Sequence, residues 1–251
     1  MIKSLSLSIK IYIGLIITLA ILAALNIFLP QGSFLPTLPQ QELPAPKPVL
    51  ALVSAGIMLI LYGGLGFVGL KLSLKLGFPD IWDSKVSIKQ RLLTPALIGS
   101  GIGIFFILAD TIFSRFHTLG PLLHPPFPTS LVASATAGIG EELIFRLFFL
   151  SFGIWLISYV ILKKRWQKQI FWIIAVFSSL AFALAHVPSV MILFGFNSIN
   201  EIPLALMSEI ILLNGVVSLF AAYYFKKSGF LAAVGIHFWT DIVWHVIWGL
   251  I

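Results

Sequence analysis

The chain has 251 residues, of which 59% are hydrophobic and 10% are charged, and its formal net charge at pH 7 is +7. A soluble domain carries charges at about a quarter of its positions, so this composition, with a mean hydropathy of +1.05, excludes an ordinary soluble fold. The sequence contains no cysteine, which excludes disulfides, thiolate metal ligands and cysteine nucleophiles.

Long apolar segments follow one another along the chain, and most have about the 20 residues that cross a hydrocarbon core of about 30 Å. The first follows two lysines and is too long for a typical signal-peptide core, so we expect a retained helix. The fourth exceeds the bilayer, which predicts a tilt, a protrusion or a break near Ser151 and Gly153. The segments are 9–29, 49–70, 92–113, 131–160, 170–187, 204–225 and 230–250.

A further short apolar stretch, Met191 to Phe196, is compatible with an eighth segment or a re-entrant turn. The sequence therefore predicts an all-α fold, a polytopic transmembrane helical bundle with about seven to eight spanning helices. The connection from Gln31 to Pro48 is rich in proline and is expected to be a linker rather than a domain.

Basic residues concentrate in alternate connections, at 71–91, 161–169 and 226–229. Positive charge in alternate loops orients a membrane protein, so we expect these loops and the N-terminus on the cytoplasmic side of the cell membrane. Because the cations lie between apolar segments and not across one face, the net charge does not indicate a nucleic-acid partner.

The fourth segment contains the sequence GEELIFRLFF, which places Glu141, Glu142 and Arg146 among apolar residues. An ionisable side chain costs at least a few kcal/mol within a bilayer, so each of the three is a candidate functional residue. Glu142 and Arg146 lie four residues apart in the order that favours a helical ion pair. Glu141 is rotated from Glu142 by about 100° and stays free for another role. An ion pair that only fixes helix packing is the alternative.

Two later segments carry further polar groups. Phe182 and His186 share a helix face in FALAHVPS, and His237 and Asp241 share one in GIHFWTDIVW. A carboxylate one turn from an imidazole orients the ring or acts with it on one ligand. Taken singly, His186 also fits a histidine at the membrane interface, and His237 and Asp241 also fit a polar pair that only satisfies its own hydrogen bonding inside the bundle. Convergence of three groups on one cavity is simpler, and it predicts a hydrolytic site that uses activated water or a bound metal.

The remaining polar residues are expected outside catalysis. Asn214 is predicted to form a hydrogen bond between helices, and Glu209 is predicted to lie at the membrane interface. His117 and His124 occupy a proline-rich connection, where we expect them to be solvated.

The motifs EELIFR, FALAH and HFWTD, in this order, closely resemble the CAAX protease and bacteriocin-processing family of intramembrane proteases, also called the CPBP or Abi family. The family pattern is a double glutamate with an arginine four residues after the second, then Phe-x-x-x-His, then His-x-x-x-Asn/Asp. The resemblance covers about Thr129 to Trp248. It implies a catalytic helical core over 129–251 and N-terminal helices and loops of unassigned role over 1–128.

By position, the resemblance implies a glutamate-dependent endopeptidase in which Glu141 activates water and His186 positions or deprotonates it. Glu142 and Arg146 would hold that glutamate, and His237 and the residue at 241 would face the oxyanion. The resemblance implies no metal or other cofactor. The implied catalytic set is Glu141, Glu142, Arg146, His186, His237 and Asp241, with Phe182 in support.

Asp241 departs from the asparagine of many family members. An asparagine amide donates a hydrogen bond to a developing oxyanion, whereas an ionised aspartate only accepts. Asp241 either stays protonated, orients His237 or helps a metal, and orientation of His237 is the expectation that we favour.

The three groups also differ in depth along their helices. Glu141 lies roughly 30 Å of helix from the basic loop at Lys163, whereas His237 lies only about 15 Å past Lys227. A tilt, a break in the fourth segment or a re-entrant element would bring them together.

The expected partner is a lipid-anchored or membrane-associated peptide or protein, either a prenylated CAAX-type protein or a bacteriocin-type peptide, together with membrane lipids. A metal-dependent membrane peptidase is one alternative. Another is a non-catalytic bacteriocin immunity or scaffold protein of the same fold. A proton-coupled transporter fits less well, because the acidic residues cluster at one locus.

Overall fold

The computed structural model describes residues 6–32 and 44–251. Over these ranges the chain is helical without strands, and seven helices are long and apolar enough to span a membrane. The predicted all-α polytopic bundle is confirmed. Lys3, Glu42 and most of the proline-rich 31–48 connection lie outside the described residues. The helices are α1 (Leu7–Asn26), α2 (Lys47–Lys75), α3 (Lys89–Phe113), α4 (Thr129–Ile161), α5 (Gln167–Phe194), α6 (Leu204–Ser228) and α7 (Phe230–Leu250).

Helix α4 has 33 residues and continues through Ser151 and Gly153, so the break considered for this segment is absent. Its hydrogen bonding changes instead, from α-helical to π-helical at Leu143–Leu150 and again at Trp155–Ile161. Turns of π-helix are rare and are often found at functional sites. The first of these π-helical segments begins directly after Glu142.

The α-helical hydrogen bonding of α5 is interrupted at His186, where its part Gln167–Ala185 ends and the short part Val187–Phe194 begins. Pro188 lies in the first turn of the second part, where its missing N–H costs no helical hydrogen bond. The apolar stretch that suggested an eighth segment therefore belongs to the end of α5 and the turn after it, and the described chain has seven spans.

Helix α7 occupies the centre of the bundle and packs against α3, α4 and α6. Gly99 and Gly103 of α3 allow a close approach, because a Cβ at either position would collide with the backbone of Ile236 or Thr240. Thr240 Oγ1 also donates a hydrogen bond of 3.1 Å to the carbonyl oxygen of Gly99. Small residues of this kind allow tight helix packing in membranes, and here they fix the helix that carries the HFWTD motif.

The basic connections meet at one end of the bundle, called here the basic end. Gln167 Nε2 donates a hydrogen bond of 2.7 Å to the carbonyl oxygen of Leu76, which joins the α4–α5 and α2–α3 connections. Gly229, between α6 and α7, packs against the backbone of Asp80 in the α2–α3 connection. The opposite end is formed by residues 27–32, 114–128 and 195–203.

Candidate active site

The predicted ion pair between Glu142 and Arg146 is present, with 3.0 Å between Glu142 Oε2 and Arg146 Nε. Both side chains are fully buried. The guanidinium carbon of Arg146 also lies 4.6 Å from the ring centroid of Phe182, which is within the range of a cation–π contact. A cation inside the bundle is therefore held by one carboxylate and one aromatic face.

His237 connects α7 to this ion pair. Its Nδ1 donates a hydrogen bond of 2.9 Å to Glu142 Oε1, so one carboxylate contacts both Arg146 and His237. His237 Nε2 lies 3.6 Å from Asp241 Oδ2 and 3.8 Å from Glu141 Oε2, which is beyond direct hydrogen-bond distance. The orienting hydrogen bond that we expected from Asp241 is made by Glu142.

His186 stands on the other side of Glu141. Its Nδ1 donates a hydrogen bond of 2.8 Å to the carbonyl oxygen of Phe182, one turn earlier in α5. Because a carbonyl oxygen only accepts, the proton of the neutral ring lies on Nδ1 and Nε2 keeps its lone pair. His186 Nε2 lies 3.9 Å from Glu141 Oε2, and both side chains are 34% exposed. These two residues reach open space, whereas Glu142 and Arg146 do not.

Phe182 packs at the centre of the group. Its ring is 1% exposed, and its centroid lies 4.8 Å from that of His186 and 5.7 Å from that of His237. One aromatic ring therefore contacts both imidazoles and the guanidinium of Arg146. This contact set explains why an aromatic residue one turn before His186 belongs to the site.

The exposed faces of these residues line a cavity of about 260 Å³. Ala133, Ala137 and Glu141 form one stripe on α4, so that small side chains leave a groove leading to the glutamate. The rest of the lining is largely apolar. The polar residues of the lining include Glu141, His186, His237 and Asp241.

Residues 114–128, called here the covering segment, close part of this cavity with Leu122, Leu123 and Pro125. The backbone N–H of Leu122 donates a hydrogen bond of 3.0 Å to Asp110 Oδ1 at the end of α3. His124 Nδ1 lies 3.0 Å from His245 Nδ1 on α7, so a shared hydrogen bond joins the segment to the bundle.

Three predictions about polar residues near this segment are wrong. Glu209 was expected at the membrane interface but is fully buried among the helices. His117 was expected to be solvated, but its Nε2 lies 3.6 Å from Glu209 Oε2 and its side chain is buried. His124 is partly buried, and this burial lowers the pKa of its imidazole, although the carboxylate of Asp110 acts in the opposite direction. Asn214 Nδ2 donates a hydrogen bond of 2.9 Å to the carbonyl oxygen of Ile210 in its own helix, and not to another helix.

Residues beyond the predicted catalytic set also line the cavity, among them His245, Asn214 and the covering segment. The sequence already indicates His245, which extends the stripe of His237 and Asp241 by one further turn on the same face of α7. The covering segment has no comparable sequence signal, since its position depends on contacts with Asp110 and His245 that lie far apart in the chain.

The described residues contain no group of three or more His, Cys, Asp or Glu side chains arranged to hold a metal ion. The cavity is lined by the imidazoles of His186 and His237 and the carboxylates of Glu141 and Asp241, and the buried carboxylate of Glu142 holds His237 from behind. Such a set can move protons and orient a water molecule.

The fold and the cavity define a multi-pass membrane protein with a glutamate–histidine cluster inside its helical bundle. Residues 123–243 match the family model described as type II CAAX prenyl endopeptidase Rce1-like. The chain therefore carries an Rce1-like domain, and the resemblance to the CAAX protease and bacteriocin-processing family is confirmed. Because this is a protease family, the match supports a peptidase. No curated protein and no solved structure is significantly similar to the chain.

Proposed function

We propose that the protein is an intramembrane endopeptidase of the glutamic type, which hydrolyses a peptide bond in a lipid-anchored or membrane-associated substrate. The observation that carries this proposal is the position of Glu141, whose Oε2 lies 3.9 Å from His186 Nε2 and 3.8 Å from His237 Nε2 at the base of the cavity. Three groups that accept, donate or relay a proton thus face one space.

Glu141 and His186 would activate the attacking water. Their facing atoms are too far apart for a direct hydrogen bond but close enough to bind one water molecule between them. The lone pair on His186 Nε2 accepts one water hydrogen, and the Glu141 carboxylate accepts the other. As the water oxygen bonds to the carbonyl carbon, its proton passes to Glu141.

The attack leaves a negative charge on the carbonyl oxygen of the substrate. His237 in its imidazolium form presents Nε2–H to this oxygen, while its Nδ1–H stays on Glu142 at 2.9 Å. The C–N bond then breaks, and the leaving nitrogen takes the proton held by Glu141. The products are an amine and a carboxylic acid, whose remaining water-derived proton passes through His186 Nε2 to solvent, and Glu141 returns to its ionised form.

Glu142, Arg146 and Phe182 act on this reaction through the residues that they hold. The carboxylate of Glu142 fixes the ring of His237, and Arg146 balances the charge of that carboxylate at 3.0 Å. Phe182 packs against both imidazoles, and its carbonyl oxygen holds the His186 tautomer. These three side chains are positioning residues.

Asp241 lies beside the proposed oxyanion site, 3.6 Å from His237 Nε2. In its ionised form it stabilises the His237 imidazolium by its charge, without a direct hydrogen bond. In its protonated form it donates to the oxyanion, as asparagine does in many relatives. Either form places a polar group where charge develops.

The apolar cavity walls suit a substrate that is held in the membrane by a lipid or an apolar peptide. We place the catalytic core at residues 129–251 and assign a supporting role to residues 1–128, from which Phe106 and the covering segment contribute cavity walls. The distribution of basic residues supports a cell-membrane protein with its N-terminus in the cytoplasm.

The test compares purified wild-type protein in detergent with the Glu141→Gln variant on two substrates, a prenylated CAAX peptide and a bacteriocin-type leader peptide. We expect wild-type protein to cut at least one of them. Loss of the general base lowers such rates by about 100- to 10,000-fold, so Glu141→Gln should be nearly inactive. Glu201→Gln, which changes an exposed acid on the 195–203 loop, serves as the matched control and should retain wild-type activity.

Cleavage that continues at the full rate in both Glu141→Gln and Glu141→Ala would contradict the proposal. Activity abolished by a chelator and restored by a divalent metal would favour the metal-dependent alternative. Protection of cells from a bacteriocin that survives Glu141→Ala would favour a non-catalytic immunity protein.

A further inference from the structure

The cavity lies towards one end of the bundle. Its walls come from the covering segment, from Ala133 and Ser134 in the first turns of α4, and from Ser189, Val190 and Leu193 after the interruption of α5 at His186. The contributions of α6 and α7 extend from Val217 and His237 towards the same end, the one opposite the basic end. Among the described residues, none of those at the basic end lines the cavity.

Packed apolar side chains separate the site from the basic end. Between Glu142 and the basic end, α4 carries three apolar side chains that are at most 1% exposed, namely Leu147, Leu150 and Ile154. Phe171 on α5 and Phe225 on α6 are fully buried at the level of the basic connections. They pack edge to face against Phe78 of the α2–α3 connection. Water and a peptide therefore reach Glu141 from the opposite end.

The basic end has the composition of a cytoplasmic membrane interface. Its lysines lie over aromatic rings, with the Lys226 ammonium 4.3 Å from the Phe171 centroid and that of Lys75 5.0 Å from Tyr159. Lys and Arg accumulate in cytoplasmic loops, and aromatic residues mark the interface. The cations at this end are Lys10, Lys71, Lys75, Lys85, Lys89, Arg91, Lys163, Lys164, Arg165, Lys168, Lys226 and Lys227.

The opposite end is nearly without cations. Lys47 and Arg115 are the basic residues that the structure describes there, and Glu201 lies at the same end. This contrast fixes the orientation of the bundle by the positive-inside rule and thereby assigns a side to the cavity.

We infer that the cavity opens on the extracytoplasmic side of the membrane, so that the substrate is an exported peptide or protein anchored in the outer leaflet, and not a cytoplasmic prenylated protein. The identity of the substrate rests on the proposed peptidase function, whereas the side on which the cavity opens does not. Glu141 then attacks a peptide bond that lies just outside the anchor, and the apolar cavity walls hold the residues next to it.

The absence of cysteine from the sequence allows a direct test of the orientation. Thr118→Cys places one thiol at an exposed position of the covering segment, and Ser84→Cys places one at an exposed position of the basic end. A membrane-impermeant maleimide is added to intact cells of a bacterial expression host. We expect it to label Thr118→Cys in intact cells and Ser84→Cys only after permeabilisation.

A second experiment tests the side of cleavage with the peptide that wild-type protein cuts in detergent. The peptide is added to right-side-out and to inverted membrane vesicles that carry the full-length protein. Right-side-out vesicles should cut it at the rate seen after detergent is added, and inverted vesicles should cut at least about tenfold more slowly until they are opened. Glu141→Gln vesicles give the background.

The outcomes separate this inference from the proposed function. Labelling of Ser84→Cys but not Thr118→Cys in intact cells overturns the inference, and so does cleavage by inverted vesicles alone. A protein that cuts neither peptide in detergent counts against the proposed function, while the labelling pattern still decides on which side the cavity opens.

Discussion

Glu142 Oε1 accepts a hydrogen bond of 2.9 Å from His237 Nδ1, and this bond joins α4 to α7 inside the bundle. The second oxygen of the same carboxylate pairs with Arg146 at 3.0 Å. From the sequence, a buried ion pair and a functional site are alternative interpretations of this motif. In the structure, the carboxylate that neutralises Arg146 also holds an imidazole that lines the cavity, so the ion pair and the proposed site share one residue.

Replacement of Glu142 by glutamine is therefore expected to reduce both stability and activity. The amide leaves Arg146 buried without a counter-charge, and breaking a buried pair in this way costs about 3–5 kcal/mol. Thermal denaturation in detergent and cleavage assays measure the two effects. The double variant Glu142→Gln/Arg146→Met should recover part of the stability but little of the activity, since His237 still lacks its charged acceptor. A double variant no more stable than either single variant would contradict this coupling.

Phe182→Leu is expected to lower activity more than stability. Leucine keeps an apolar side chain at the position but removes the aromatic face under Arg146, a contact worth about 0.5–2 kcal/mol. It also removes the ring that packs against His186 and His237, and small displacements of catalytic groups reduce rates by up to about 100-fold. Phe177→Leu, on the lipid-facing side of the same helix, is the matched control. Equal activity in the two variants would show that the ring does not position the histidines.

Local helix geometry made part of this site predictable. The spacing of Glu142 and Arg146 implied their ion pair, because residues four apart meet on a helix whatever surrounds it. The same rule placed Phe182 beside His186. That the groups belong to one cavity came from the resemblance and from the improbability of three unrelated polar clusters in an apolar chain.

Contacts between distant parts of the chain were not predictable. His237 donates its hydrogen bond to Glu142 and not to Asp241, because the packing of α7 on α4 directs His237 Nδ1 towards the buried carboxylate of Glu142. Glu209 was expected at an interface, yet the covering segment brings His117 to it inside the bundle. Neither contact follows from periodicity or spacing, since each depends on how helices far apart in sequence pack together.

Asp241→Asn is expected to retain cleavage at or above the wild-type rate. The amide keeps a polar group at the position of the present carboxylate oxygen, 3.6 Å from His237 Nε2, and its N–H adds a donor for the oxyanion. Asp241→Leu fills the same space without polar atoms, and loss of one such group costs about 100-fold or more in kcat. Steady-state kinetics on the same peptide compare the two variants. Equal losses in both would mean that the carboxylate charge itself is required.

Acidic pH is expected to weaken the attachment of the covering segment through His124. Burial lowers the pKa of this imidazole below its ordinary value of 6.5, so the unfolded chain binds the proton more readily than the folded protein does. The stability that neutral His124 contributes is thus complete above pH 6.5 and is lost as the pH falls through the lowered pKa. The carboxylate of Asp110 opposes this shift of the pKa, and His245 is the ring that shares the hydrogen bond with His124.

His124→Asn removes this titrating group, because asparagine does not titrate, while all other ionisable residues stay in the sequence. Thermal denaturation in detergent is measured for both proteins between about pH 5 and pH 8, a range that brackets the ordinary histidine pKa. Wild-type protein should lose more stability than the variant as the pH falls below 6.5. The difference between the denaturation temperatures of the two proteins should therefore become smaller at acidic pH. Curves that remain parallel over the whole range would show that His124 does not couple the covering segment to pH.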